Sequence, residues 1–140
     1  MEDRRTFLLM AAAMLPASLN AQTPPTPAAT PARELARHRL TGPLEAFDVV
    51  LVDLNPGPGT GRDHRHTGPV LGYVVDGQVR FGVDHGAEQI LQAGSTFFEP
   101  TGVVHSTFGS AVANSRAHVL AFMVVPTGNS GTVLAEGPAR

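Results

Sequence analysis

Asp76-Gly77 lies between two apolar stretches, and this dipeptide constrains the fold more than any other feature of the chain. An Asp-Gly pair flanked by alternating apolar residues predicts a two-residue β-hairpin, whose turn needs positive φ at both central positions. The predicted register pairs Val74 with Val79, and Tyr73 with Arg80 in a cation–π contact on the outer face. Paired residues share a face, so the apolar face is expected to be buried. That face comprises Val70, Gly72, Val74, Val79, Phe81 and Val83.

The rest of the chain consists of short apolar runs between turns that contain Gly or Pro. These turns recur at roughly 8–12-residue intervals, and hardly any stretch has a helical period. Residues 44–54 are apolar on both parities, which predicts a strand buried on both faces. Residues 57–61 are interpreted as a loop at the entrance to a site, and residues 34–40 fit either a helix or a strand. The pattern as a whole predicts an all-β barrel or sandwich.

The first 21 residues predict an export signal. Arg4-Arg5 precedes an apolar run over residues 7–15, a pattern similar to a twin-arginine signal. Because this run is too short to span a bilayer comfortably, cleavage near Ala21 is expected, with no membrane anchor left and the mature protein periplasmic or secreted. The alternative is an incidental basic and apolar N-terminus. Residues 22–32 are rich in Pro, Ala and Thr and predict an extended spacer, which places the domain at residues 33–140.

The composition excludes several kinds of site. The chain contains neither cysteine nor lysine, so it has no disulfides, thiolate ligands, Schiff-base lysine or P-loop lysine. Imidazole and carboxylate groups remain as the plausible metal ligands. A formal net charge of −2 argues against a nucleic-acid partner, which normally meets a basic face. The expected partner is a small organic molecule.

Two histidines separated by one residue predict a metal site. His64 and His66 point to the same face if they lie on a strand, because side chains alternate across it. Both imidazoles can then reach one ion, and a further ligand is expected from another part of the chain.

The spacing around these residues resembles the two sequence motifs of the cupin family. The first motif runs Gly, five residues, His-x-His, three or four residues, Glu, six residues, Gly; the second runs Gly, five residues, Pro-x-Gly, two residues, His, three residues, Asn. Residues that match the first are His64, His66 and Gly77, and those that match the second are Gly94, Pro100, Gly102 and His105. The chain departs from the motifs at Pro58 and Gly109, where Gly and Asn are usual, and at Val70, which replaces the Glu.

The resemblance implies an all-β double-stranded β-helix, or jelly roll, with a divalent metal held by His64, His66 and His105. With Val70 in place of the metal-binding Glu, three neutral imidazoles leave coordination positions open. In this the chain is similar to the three-histidine iron dioxygenases that act on thiols or β-diketones. Fe²⁺ is the expected ion, with Mn²⁺, Ni²⁺ or Zn²⁺ as alternatives. The opposing interpretation is a jelly roll that lost its metal with its Glu and binds an apolar ligand.

The pocket beside the metal is expected to be apolar, with a lining of Val70, Gly72, Val74, Phe81 and Val83. Glu99 and His118 are candidates for a place next to the metal ligands. A rim or hydrogen-bonding role is expected for Glu99 in preference to direct ligation. For His118 a core or edge histidine is favoured, and a place next to the metal ligands or among them is the alternative. Arg62 and Arg116 are expected to be solvated, although either can hold an anionic substrate at the mouth of the barrel.

Two functions from different classes fit the sequence. The first is a small metal-dependent oxygenase, and the second is a non-enzymatic exported protein that binds a ligand or a metal. No acid–base pair of the kind an isomerase needs is found in the predicted interior. A homodimer is also expected, by analogy with small cupins and from the apolar residues on both faces of the last long strand, which begins at His118.

Overall fold

The computed structural model describes residues 31–135, which form ten β-strands and one short 3₁₀ helix. The strands are β1 (Ala32–Arg39), β2 (Phe47–Leu54), β3 (His64–His66), β4 (Val70–Asp76), β5 (Gln78–Val83), β6 (Gln89–Gln92), β7 (Thr96–Glu99), β8 (Val104–Ser110), β9 (His118–Pro126) and β10 (Thr132–Leu134). The 3₁₀ helix Gly42–Leu44 joins β1 to β2. No helix of the described residues is long and apolar enough to cross a membrane. The predicted export signal and residues 22–30 of the predicted spacer lie outside the described residues.

The strands form two antiparallel five-stranded sheets. Sheet 1 has the order β1-β2-β9-β4-β7, and sheet 2 has the order β10-β3-β8-β5-β6. Neighbouring strands are often distant in sequence, as in the pairs β2 with β9 and β3 with β8. Two packed antiparallel sheets with such connections form a jelly roll, so the predicted fold is confirmed.

Side chains alternate between the core and the surface along the central strands. In β4, Val70, Gly72 and Val74 are buried while Leu71 and Tyr73 are exposed. This period of two lets each sheet turn one apolar face inward. The interior holds two clusters of buried residues: Val74, Val79, Phe81, Phe97, Phe108, Ala117 and Val119 form the first, and Val50, Val52, Val70, Ala121, Met123 and Val125 form the second.

The predicted hairpin between β4 and β5 is wrong in its pairing and correct in its faces. The two strands lie in different sheets, because β4 pairs with β7 and β9 while β5 pairs with β6 and β8. Of the two turn residues only Gly77 has positive φ, at 78°, whereas the predicted turn needs positive φ at both. The chain therefore folds over at Gly77, and the apolar face of β4 lies across the core from that of β5. Arg80 forms an ion pair with Glu88 (2.7 Å) instead of the predicted contact with Tyr73.

The start of the domain resolves the open choice for residues 34–40. Residues 34–39 belong to strand β1, which pairs with β2 from Ala32 onward, one residue before the predicted domain start. Strand β2 is shorter than predicted, because it begins at Phe47. Its inward residues Val50 and Val52 are buried, whereas the opposite face is only half-buried. Residues 57–61 form a loop, as expected, apart from an isolated bridge at Pro58.

Candidate metal centre

Three histidines converge from two adjacent strands of sheet 2. His64 and His66 lie on β3 and turn to the same face, and His105 on β8 is the direct cross-strand partner of His64. One ring nitrogen from each of the three residues lies within 4.8 Å of the others. The ring centroid of His64 is 4.8 Å from that of His66 and 4.9 Å from that of His105. This arrangement can hold one metal ion.

Backbone carbonyl groups orient two of the imidazoles. His64 Nδ1–H donates to the carbonyl of Arg62 (2.8 Å), and His66 Nδ1–H donates to the carbonyl of Gly131 (3.2 Å). Each bond leaves the lone pair of Nε2 free, which is the tautomer that a metal-binding histidine needs. The carbonyl groups of Arg62 and Gly131 therefore hold both rings in the orientation that coordination needs.

Burial keeps two of the histidines neutral. His105 is 3% exposed, and burial, reinforced by nearby His64 and His66, lowers its pKa to about 3. Burial and the proximity of His64 lower the pKa of His66 to about 4. Both imidazoles are therefore unprotonated at neutral pH, and only this form binds a metal.

Glu99 brings a carboxyl group to the same place from sheet 1. Glu99 on β7 is 1% exposed, and its Oε2 lies 3.2 Å from His105 Nδ1 and 3.7 Å from His66 Nε2. Burial raises its pKa to about 8. Glu99 thus lies beside the histidines inside the cavity, whereas the sequence favoured a rim or hydrogen-bonding role.

A signal for this orientation of Glu99 was present in β4. Gly72 is the cross-strand partner of Phe97, and a Cβ on Gly72 would lie 2.0 Å from the Phe97 ring. The glycine makes room for an inward Phe97, and by the period of two Glu99 must then also face inward. Without the pairing of β4 with β7, Phe97 and Phe98 are equally good candidates for the inward position.

The histidines and Glu99 line a cavity of about 240 Å³ between the sheets. Its wall is otherwise mainly apolar. The lining residues are Ala32, Val52, Leu54, Gly61, Arg62, His64, His66, Val70, Phe97, Glu99, His105, Phe108, Ala121, Met123, Thr132 and Leu134. An apolar cavity with a few convergent polar groups is typical of a small-molecule site.

The predicted lining needs correction. Val70 lies in the cavity wall, but Gly72, Val74, Phe81 and Val83 do not. Val74 and Phe81 are packed in the first core cluster, with Val83 against it. The inward direction of these residues was predicted correctly, but they lie deeper in the core, where the aromatic rings fill the space.

His118 is not part of this site. It lies at the start of β9 on the outward parity, and its Nε2 is 2.9 Å from Asp53 Oδ1. This position agrees with the favoured interpretation of His118 as a core or edge histidine and not with a place next to the metal ligands. Of the two arginines considered at the mouth, Arg62 lines the cavity, whereas Arg116 donates to the carbonyl of Asn55.

The donor atoms in the cavity fit a divalent cation. Neither ring nitrogen of His105 has a hydrogen-bond partner among the described residues, and neither has Glu99 Oε2. Buried polar atoms without a partner are rare in folded proteins and point to an additional bound species. Neutral imidazoles with a carboxylate are a donor set that Fe²⁺, Zn²⁺, Mn²⁺ and Ni²⁺ accept.

Comparison with known proteins agrees with the jelly roll. The cupin domain family model matches residues 50–123. A conserved protein with a double-stranded β-helix domain from Klebsiella pneumoniae has a TM-score of 0.58 at 22% identity, covering 81% of this chain and 90% of that chain. A cupin-like protein from Thermotoga maritima has a TM-score of 0.58 at 18% identity, covering 77% of each chain.

Enzymes are also among the similar structures. A recombinant oxalate oxidase in complex with glycolate has a TM-score of 0.55 at 25% identity, covering 79% of this chain and 57% of that chain. No curated protein sequence matches this chain. The family model covers more than half of the 140 residues, and the matched range includes all three histidines. The chain belongs to the cupin family.

Proposed function

We propose that this protein is a metal-dependent cupin oxygenase that acts on a small organic molecule at a centre formed by His64, His66 and His105. The observation that carries this proposal is the convergence of the three imidazoles on a cavity with a mainly apolar wall. Fe²⁺ is the ion that we favour, and a bound Fe²⁺ would supply the activation of O₂. Mn²⁺, Ni²⁺ and Zn²⁺ are the alternatives.

The residues of the chain bind, orient and desolvate the substrate in this proposal. Val70, Met123 and Phe97 form apolar wall that excludes water from the organic part of the substrate. Arg62 at the cavity can attract an anionic group. An oxygenase of this kind needs few acid–base groups from the protein, because a bound ion would supply most of the chemistry with O₂. The similarity to an oxalate oxidase, which oxidises a small organic acid, is compatible with this class of reaction.

The second candidate is a non-enzymatic cupin that holds a small ligand or a structural metal. The mainly apolar wall supports it, since Glu99 is the one carboxyl group among the residues that line the cavity. A binding protein of this kind needs the metal only to fix the ligand or to stabilise the jelly roll.

Metal analysis and oxygen uptake separate these functions. The purified protein is expected to hold one divalent ion, and the Fe²⁺-loaded protein is expected to consume O₂ with at least one member of a panel of thiols, β-diketones and phenols. His85→Ala, which removes an exposed histidine outside the centre, is the control and is expected to behave like the original protein. His85 Nε2 lies 3.0 Å from Asp63 Oδ2. Stoichiometric metal without uptake across the panel and across the four ions would favour the binding protein. Absence of bound metal would contradict both metal-dependent roles.

We also propose export of the mature domain through a twin-arginine signal at Arg4-Arg5. Fractionation of cells that express the full chain is expected to place the protein in the periplasm. Conservative replacement of both arginines by lysine is expected to retain it in the cytoplasm, since that pathway reads the arginine pair. An unchanged periplasmic yield in the variant would refute this route.

A further inference from the structure

We propose that Glu99 is a fourth protein ligand of the metal, so that sheet 1 supplies the carboxylate that the first cupin motif lacks at Val70. This inference rests on the proposed metal binding by the three histidines and goes beyond it. The resulting centre has three imidazoles from sheet 2 and one carboxylate from β7 of the facing sheet.

The separations of Glu99 Oε2 from two of the three histidines fit a shared ion. Ligand atoms at bond lengths of about 2.1 Å in a tetrahedral arrangement are about 3.4 Å apart. Glu99 Oε2 lies 3.2 Å from His105 Nδ1 and 3.7 Å from His66 Nε2, on either side of that value. The lone pair of His66 Nε2 is available, because Nδ1 of the same ring bonds to the Gly131 carbonyl.

The surroundings of Glu99 support the same role. Glu99 is 1% exposed, and its Oε2 has no hydrogen-bond partner among the described residues. A buried carboxylate is unfavourable unless it is paired or binds a cation. No arginine forms an ion pair with Glu99 within residues 31–135, and its close neighbours are the candidate metal ligands His66 and His105. A divalent cation among the histidines would compensate this charge.

The strand pairing explains how a carboxylate at residue 99 can take the place of one at residue 70. Val70 and Glu99 are direct cross-strand partners in β4 and β7, and both are buried on the cavity side. Directly opposed residues have Cβ atoms only about 5 Å apart. A longer side chain at residue 99 can therefore reach the region that a carboxylate at residue 70 would occupy. Val70 fills its own position with an apolar side chain.

A carboxylate ligand changes which substrates suit the centre. Three neutral imidazoles leave the full double positive charge of the ion, whereas Glu99 reduces the charge of the centre by one. Fewer coordination positions also remain open. The centre then suits a chelating molecule with one negative charge better than a molecule with two.

Glu99→Gln is the direct test, because glutamine keeps the size of the side chain yet is a poor metal ligand. Affinity for Co²⁺ and Zn²⁺, measured by competition with a chelator, is expected to fall about 100-fold, and the visible spectrum of bound Co²⁺ is expected to change. Glu88→Gln is the matched control, since Glu88 pairs with Arg80 on the surface. Val70→Glu in the Glu99→Gln background is expected to recover most of the affinity.

The outcomes separate this inference from the function on which it rests. Unchanged affinity and an unchanged Co²⁺ spectrum in Glu99→Gln, together with loss of binding in His105→Ala, would overturn the role of Glu99 and leave the three-histidine centre intact. Failure of the original protein to bind either ion would overturn the metal centre itself. No recovery by Val70→Glu would count against exchange of the carboxylate between the two strands. Thermal unfolding of each variant without metal checks that the fold is retained.

Discussion

The two sheets contribute different chemistry to one cavity. Sheet 2 brings His64, His66 and His105 together on the adjacent strands β3 and β8. Sheet 1 faces them with mainly apolar side chains and the single carboxyl group of Glu99. The imidazoles meet through direct strand pairing, whereas Glu99 reaches them only because the two sheets pack face to face.

This difference shows why one half of the site is readable from sequence and the other is not. A His-x-His pair on a strand shares a face whatever the partner strand is. The inward direction of Glu99 depends on Phe97 fitting against Gly72 in the neighbouring strand. Removal of groups from each sheet in turn therefore tests this difference between the sheets.

Loss of an imidazole from sheet 2 is expected to have the largest effect. His64→Ala should weaken metal binding by more than about 100-fold, because even groups that only support metal ligands cost 10- to 100-fold when removed. Isothermal titration with Zn²⁺ measures this change. His38→Ala, at an exposed position on β1, is the control. Equal affinity in His64→Ala and the original protein would break the contrast between the sheets.

Gly109→Ala tests a backbone contact of sheet 2. A Cβ at Gly109 would lie 1.9 Å from the carbonyl oxygen of Gly59, in a loop that is held by the bond from Ser110 N–H to the Gly57 carbonyl (2.7 Å). The loop must move, so we expect a loss of about 3 kcal/mol in the free energy of unfolding, measured by urea denaturation. Val112→Ala in the exposed turn nearby is the control. A loss near zero would show that the loop is free to shift.

Gly72→Ala tests a side-chain contact of sheet 1. The added Cβ meets the ring of Phe97, and we expect a loss of about 2 kcal/mol in the free energy of unfolding. Because the obstacle is a side chain, Phe97→Leu in the same protein should recover part of the loss, whereas Gly109→Ala has no equivalent remedy. Urea denaturation of the two single variants and the double variant measures the coupling. Additive losses would contradict the contact.

The expected homodimer stays a prediction, and the outer face of sheet 1 is the surface on which it can be tested. Leu71, Phe98 and Phe122 are 50%, 59% and 45% exposed, and Leu71 is the cross-strand neighbour of the other two. An exposed apolar patch of this kind suits an interface between two copies. Phe122→Ser should weaken dimerisation about tenfold, measured by analytical ultracentrifugation, with Ile90→Ser in sheet 2 as the control. A monomeric original protein would refute the expectation.

The smallest effect is expected at Asp48, on the inward parity of β2. The hydrogen bond from Arg37 (3.0 Å) lowers the pKa of Asp48 below its usual 3.8, with a further contribution from Thr127. A lowered pKa means that the bond stabilises the fold above about pH 3.8 and that this stabilisation is lost as the pH falls through the folded-state pKa. Asp48→Asn should therefore lower the melting temperature at pH 7. The difference in melting temperature between the variant and the original protein should be smaller at pH 3. A difference that is independent of pH would contradict this role.

Some predictions from the sequence depended only on local periodicity, and these agree with the structure. The inward direction of Val70, Val74 and Phe81 follows from the period of two along a strand, so it survives an error in strand pairing. The predicted pairing of β4 with β5 was wrong. A turn sequence cannot reveal that β4 pairs with β9, and β5 with β8, strands that are distant in sequence. For the same reason the sequence could not tell which inward residues line a cavity and which fill the core.

The sequence by itself determined an all-β fold and the common face of His64 and His66, because these depend on alternation and turn spacing along the chain. The jelly roll was implied by the resemblance of its motifs to those of the cupin family. Only the tertiary structure decided what faces the two histidines. It placed Glu99 beside His105 and left His118 on the outer surface with Asp53. The physical reason is that a contact between two packed sheets depends on strand pairing and on side-chain size across the core, as Gly72 and Phe97 show.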